Sequence, residues 1–142
     1  MLETATPPGG KGLSILVVED EVQLRKLMRR LLEGVGYRVR TAGDGRAALA
    51  AMAAEKADLI LLDYKMPVLD GPGFLAEARH RGIATPVILV TASPEAHELG
   101  KRFGCDDIVP KPFGIPVLLA AVARALAHHR AGQPEEAGSL PI

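Results

Sequence analysis

Five side chains carry the chemistry of this sequence. Glu19 and Asp20 follow one apolar run, Asp63 ends another, Thr91 closes a third, and Lys111 follows a fourth. Asp63 poses the question most sharply. Residues 59–71 read LILLDYKMPVLDG, so four large apolar residues run straight into an aspartate. A carboxylate at the end of a buried strand is costly unless something pairs with it. Three converging carboxylates repel, and one of them then holds its proton more tightly. A hard divalent cation relieves that repulsion. Magnesium takes oxygen ligands, keeps some of its waters, and uses one or two carboxylates together with a phosphate. With Lys111 as a second cation and Thr91 as a hydroxyl donor, the set suits phosphoryl transfer onto Asp63.

The elements that must position these residues alternate regularly. Runs at 13–18, 37–42, 58–62, 86–92 and 106–110 read as strands. The segments 21–34, 45–56, 71–82, 94–104 and 115–130 read as helices, with Gly34 or Gly36 stopping the first and Pro116 suiting the start of the last. The second strand, YRVRTA, alternates apolar and polar residues and belongs near an edge, where it offers only Thr41. Five βα units predict a doubly wound parallel sheet with helices on both faces. In such a sheet ligands bind beyond the carboxyl ends of the strands, where the five polar residues fall.

Bulk composition narrows the field. The chain has 142 residues, with 48% hydrophobic and 24% charged, which suffices for one globular domain. Lys+Arg and Asp+Glu are both 17, so no net field favours nucleic acid or an acidic membrane. Cys105 is the sole cysteine, and the four histidines (His80, His97, His128, His129) show no metal-ligand spacing. No signal peptide or membrane-length apolar run is visible, so a cytoplasmic location is expected. Residues 1–12 and 131–142 read as flexible tails around a domain at 13–130. After Arg130 only a short polar stretch remains. The chain is therefore expected to be either a stand-alone domain or one piece of a longer protein, without a nucleic-acid-binding motif of its own.

The ordered segments ILVVEDE, LILLDYKMPVLDG, ILVTAS and GCDDIVPKPF resemble the receiver domain of bacterial response regulators over about Leu13 to His129. The resemblance implies a five-stranded, flavodoxin-like sheet of order 2-1-3-4-5. It implies Asp63 as phosphoacceptor and Asp20 as a direct Mg2+ ligand, with Glu19 assisting. It implies that Lys65 ligates through its backbone carbonyl and that Thr91 and Lys111 hold phosphoryl oxygens. It also implies a cis bond between Lys111 and Pro112. The donor would be a sensor histidine kinase or a histidine phosphotransfer protein. The chain would be a monomer or weak dimer with an output partner the sequence does not name, and no enzyme beyond catalysing its own phosphorylation and dephosphorylation. Many receivers carry an aromatic residue three before the lysine, whereas Ile108 stands there in this chain.

Two further expectations concern the surface. Leu27, Met28, Leu31 and Leu32 suffice to face the sheet, which leaves Leu24 exposed as a docking residue. Asp70 and Asp44 read as turn or cap residues. Three alternatives stand beside this reading. GDGRAA at 43–48 fits a dinucleotide-binding pattern, but it follows an edge strand. A flavodoxin-like electron carrier would need a phosphate-binding loop after the first strand, where Glu19, Asp20 and Glu21 would repel phosphate. A degenerate receiver used only for binding would not need the intact acidic pair, acceptor and lysine.

Overall fold

The structure, a computed structural model, describes residues 12–131. Of the expected tails at 1–12 and 131–142, residues 1–11 and 132–142 lie outside the described residues. The elements alternate as β1 (Ser14–Val18), α1 (Val22–Val35), β2 (Arg38–Ala42), α2 (Gly45–Ala54), β3 (Leu59–Asp63), α3 (Gly71–His80), β4 (Val87–Thr91), α4 (Ala96–Phe103), β5 (Asp107–Pro110) and α5 (Ile115–Ala131). All strand pairs are parallel, in the order β2-β1-β3-β4-β5. This is the doubly wound sheet read from the sequence. β2 lies at an edge, as its alternation requires.

The central strands β1, β3 and β4 are buried along their whole length, which is why they read as unbroken apolar runs. Their side chains divide by parity. Ile15, Val17, Leu59, Leu61, Ile88 and Val90 pack with Met28 and Leu32 of α1 and Leu118, Val122 and Leu126 of α5. Leu16, Val18, Ile60, Leu62 and Leu89 pack on the other face with Leu49, Met52, Phe74, Leu75 and Leu99 of α2, α3 and α4. Two cores therefore clamp the sheet, and the strand ends are left to do chemistry.

Helix boundaries follow local chemistry. The side chains of Asp44 and Asp70 accept from Ala47 N at 2.8 Å and Gly73 N at 2.9 Å, so both residues are N-caps. Gly36 and Gly104 end α1 and α4 in the left-handed region. The GDG sequence also has a packing purpose. Gly45 N donates to the Leu69 carbonyl at 2.8 Å, and a side chain at Gly45 would collide with Leu69. The glycine therefore brings the β2–α2 turn against the loop after Asp63, which accounts for the motif without a dinucleotide.

One expectation about α1 is corrected. Leu24 is half-buried and packs against the α1–α5 core, while Leu27 is 40% exposed. At 100° per residue the five leucine and methionine positions of α1 span an arc of about 140°. The buried centre lies at Met28 and Leu32, so Leu27 is the outlying edge of that arc and Leu24 lies inside it.

Candidate functional site

Each strand delivers its polar residue at the point where its apolar run stops. β1 ends at Val18 and the next residue, Glu19, is 2% exposed, while Asp20 is exposed. Asp63 is the last residue of β3 and is 7% exposed. Thr91 closes β4, buried, and its backbone carbonyl accepts from Lys111 N at 3.1 Å, which ties the β5–α5 loop to β4. The Lys111–Pro112 bond is cis, as expected.

The structure brings these groups together. Carboxylate oxygens of Glu19, Asp20 and Asp63 lie within 4.8 Å of one another. Lys111 Nζ donates to Glu19 Oε1 at 3.0 Å and to Asp63 Oδ1 at 3.2 Å, 92 and 48 positions away in the sequence. Backbone amides support the same carboxylates: Tyr64 N donates to Asp63 Oδ1 at 2.8 Å and Glu21 N to Glu19 Oε2 at 3.1 Å. Thr91 Oγ1 accepts from Ser93 N at 2.9 Å, so the hydroxyl is tied to the loop that follows β4. Lys65 has an exposed side chain, and no hydrogen bond occupies its carbonyl among the described residues.

The electrostatics follow from burial. Burial is the largest influence on the Glu19 and Asp63 carboxyls and pushes both up, although Lys111 and the backbone amides pull the other way. Burial by itself would lower the Lys111 ammonium. The bond to Glu19 and the charges of Glu19 and Asp63 outweigh it and hold Lys111 above its ordinary value. One lysine thus faces three carboxylates and leaves a deficit of positive charge. The donor set is all oxygen, open to solvent on the Asp20 side, and suits a hard divalent cation that keeps some of its waters.

The loop between Asp63 and α3 is tightly folded. Gly71 N donates to the Tyr64 carbonyl at 2.9 Å, and a side chain at Gly71 would collide with Asp63 and Tyr64 backbone. Val68, in the same loop, has φ +69°, the only positive φ at a non-glycine position among the described residues. Sequence reasoning missed this residue. It also missed Arg25, whose guanidinium binds the backbone of the acidic pair. Only helical spacing from Asp20 could have suggested Arg25.

Comparison with known proteins agrees with this geometry. Residues 15–123 match the response regulator receiver domain. The chain is 34% identical over 145 aligned residues to the alkaline phosphatase synthesis transcriptional regulatory protein SphR of Synechococcus elongatus, covering 94% of this chain and 56% of SphR. It is 41% identical to the response regulator MprA of Mycolicibacterium vanbaalenii, covering 79% of this chain and 49% of MprA. Among solved structures, the chemotaxis protein CheY4 of Vibrio cholerae matches with a TM-score of 0.75 at 34% identity, covering 80% of this chain and 98% of CheY4. The receiver domain of NtrX from Brucella abortus matches with a TM-score of 0.74 at 33% identity, covering 80% of this chain and 98% of that domain. The chain belongs to the response regulator receiver family, the receiving module of two-component signalling. It spans about half the length of the curated relatives it matches. No helix among the described residues is long and apolar enough to cross a membrane.

Proposed function

We propose that this receiver accepts a phosphoryl group on Asp63 from a phosphohistidine of a sensor histidine kinase or histidine phosphotransfer protein, with Mg2+, and transmits the change by altered partner binding. The observation that carries the reading is Lys111 Nζ held at 3.2 Å from Asp63 Oδ1 and 3.0 Å from Glu19 Oε1 within an acidic trio. An Asp63 oxygen attacks phosphorus, and the phosphorus–nitrogen bond of the donor breaks. Its electron pair returns to the imidazole, which takes up a proton. Lys111 faces the incoming phosphoryl oxygens, and Thr91 offers a hydroxyl to one of them once it leaves its contact with Ser93. Glu19, Asp20, Asp63 and the Lys65 carbonyl would hold Mg2+, which supplies charge neutralisation for the transferring group. The chain turns over no separate substrate. It works in the cytoplasm as a monomer or weak dimer, through a protein partner and without direct contact with nucleic acid.

Mass spectrometry after incubation with acetyl phosphate and MgCl2 tests this reading. One labile phosphoryl group is expected on the wild-type chain and none on Asp63→Asn, while Asp20→Asn weakens the dependence on Mg2+. Labelling of Asp63→Asn at the wild-type level refutes Asp63 as acceptor. An unlabelled wild-type chain would indicate a receiver used only for binding.

A further inference from the structure

Arg25 lies on α1, one turn beyond the acidic pair. Its Nη1 donates to the Glu19 carbonyl at 2.8 Å and reaches the Asp20 carbonyl at 3.5 Å. It therefore holds both residues through their backbone and leaves their carboxylates free. No carboxylate pairs with Arg25 among the described residues. The guanidinium has a second neighbour, in the turn between β2 and α2. A Cβ built on Gly43 would lie 3.2 Å from Arg25 Nη1, tighter than ordinary contact. The same two loops are stitched at their base, where Glu19 N donates to the Ala42 carbonyl at 3.0 Å.

Adjacent residues on an extended chain point their side chains to opposite sides. Glu19 is buried and Asp20 exposed, yet their carboxylate oxygens come within 4.8 Å. The backbone must turn to achieve this, and a free turn would spread the two carboxylates over many arrangements. A cation would then have to order them on binding, at a loss of affinity. An arginine offers several donors in a rigid plane, so one group can hold successive carbonyls.

We infer that Arg25 is a positioning residue for the divalent-cation site, and that Gly43 is glycine so that the guanidinium can occupy this place. The inference rests on the reading of Glu19 and Asp20 as metal ligands. The residue acts on cation affinity before any phosphoryl group arrives, so it is testable without a donor or an output partner.

Calorimetric titration of MgCl2 into the full chain provides the test, using wild type, Arg25→Gln, Arg25→Lys, Gly43→Ala and the Arg25→Gln/Gly43→Ala double variant. Groups that orient metal ligands are typically worth 10–100-fold in affinity, so Arg25→Gln is expected to bind Mg2+ about 10-fold more weakly. Arg25→Lys should recover part of the loss, and Gly43→Ala should show a smaller loss. The double variant should be no weaker than Arg25→Gln, because Gly43 acts through Arg25. Thermal midpoints measured without metal check that each variant is folded. Wild-type affinity in folded Arg25→Gln overturns the inference. If that variant does not fold, wild-type affinity in Gly43→Ala overturns it instead. Additive losses in the double variant overturn the role given to Gly43. A wild-type chain that takes up no Mg2+ overturns the metal reading itself and the inference with it, an outcome separable from the others because it precedes any comparison of variants.

Discussion

The mouth at β1 and β3 and the edge at β5 belong to one sheet but are held by different forces. At the mouth, Glu19, Asp63 and Lys111 bond one another, and backbone amides bond the two carboxylates. At the edge, Ile108 is half-buried among the side chains of the α2–α3–α4 core and lies over Gly100, where an added Cβ would meet its Cδ1 at 3.5 Å. The helix beside it, α4, has eight residues, and its N-cap Glu95 makes no side-chain cap bond. The mouth is therefore governed by charge and should answer to pH, metal and charge deletion. The edge is governed by shape and should answer to volume.

The largest effect that would break this contrast is expected at Lys111. Removing it strips the only cation bonded to both buried carboxylates among the described residues. Removing a single preorganised donor from a developing charge typically costs 10²–10³-fold, so Lys111→Met should slow labelling by acetyl phosphate about 100-fold. Stopped-flow or quenched labelling measures this directly. A loss of only a few-fold would mean that the lysine serves structure more than chemistry.

A second prediction concerns pH. Folding raises the carboxyls of Glu19 and Asp63 above their ordinary 4.5 and 3.8. The native state therefore binds more protons than the unfolded state in the window just above those values. Stability must then fall as pH rises through that window, the reverse of the usual behaviour of a salt-bridged carboxylate. The Lys111 contribution runs at the other end of the scale: it is present below 10.5 and lost as pH rises beyond its raised value. Urea denaturation without divalent cations should show the decline as pH rises from about 4 towards neutrality. Asp63→Asn should flatten the slope and be more stable than wild type at pH 7, and Mg2+ should flatten it in the wild type. A wild-type stability that rises over the same range would sink the charge-governed picture of the mouth.

Val68 gives a smaller effect. A β-branched residue at φ +69° is strained, and at 73% exposure it recovers little by packing. Val68→Gly removes that strain but adds unfolded-state entropy, so a net gain of about 1 kcal/mol is expected. Chemical denaturation measures it. A destabilised Val68→Gly would show that the side chain holds the loop after Asp63.

Much of this arrangement was legible in the sequence, and the reason is the sheet. A fully buried parallel strand must read as an unbroken apolar run, so the first polar residue after it marks the strand end, as with Val18 before Glu19 and Leu62 before Asp63. The ends of β1, β3 and β4, neighbours in one sheet, converge by topology alone. The helices were read less well. The leucine and methionine positions of α1 overfill a single stripe, and their phase was set by packing on the sheet, which the local sequence does not contain. Leu24 and Leu27 therefore exchanged roles. Arg25 and Val68 were missed for another reason. Their significance lies in backbone, in carbonyls received and a φ imposed by neighbouring loops, and a residue type says little about either. Leu24 and Leu27 do meet again beside Lys111, where together with Ala92, Pro112, Phe113 and Ile115 they line a groove of about 580 Å³ at the mouth.

The smallest effect tests whether mouth and edge communicate. Thr91 is the joint between them: its hydroxyl holds Ser93, and its carbonyl holds Lys111. If the proposed phosphoryl group drew the hydroxyl toward it, the loop 92–95 would lose that anchor and α4 could shift. Ile108 is stiff at χ1 and half-buried, with no ring to exchange between inside and outside. The signal should therefore pass through Thr91 and the backbone of the loop, with little movement at Ile108. Coupling between distant sites is usually worth ~1–3 kcal/mol, and this chain should lie at the low end. NMR chemical shifts with and without a beryllofluoride mimic, in MgCl2, would measure it. The changes should concentrate at residues 91–96 and leave the Ile108 methyls nearly still. Thr91→Ala should erase the loop changes, and Ile108→Ala should leave them intact. Equal loss in the two variants would make Ile108 a working part of the switch, and the edge would then be more than a shape.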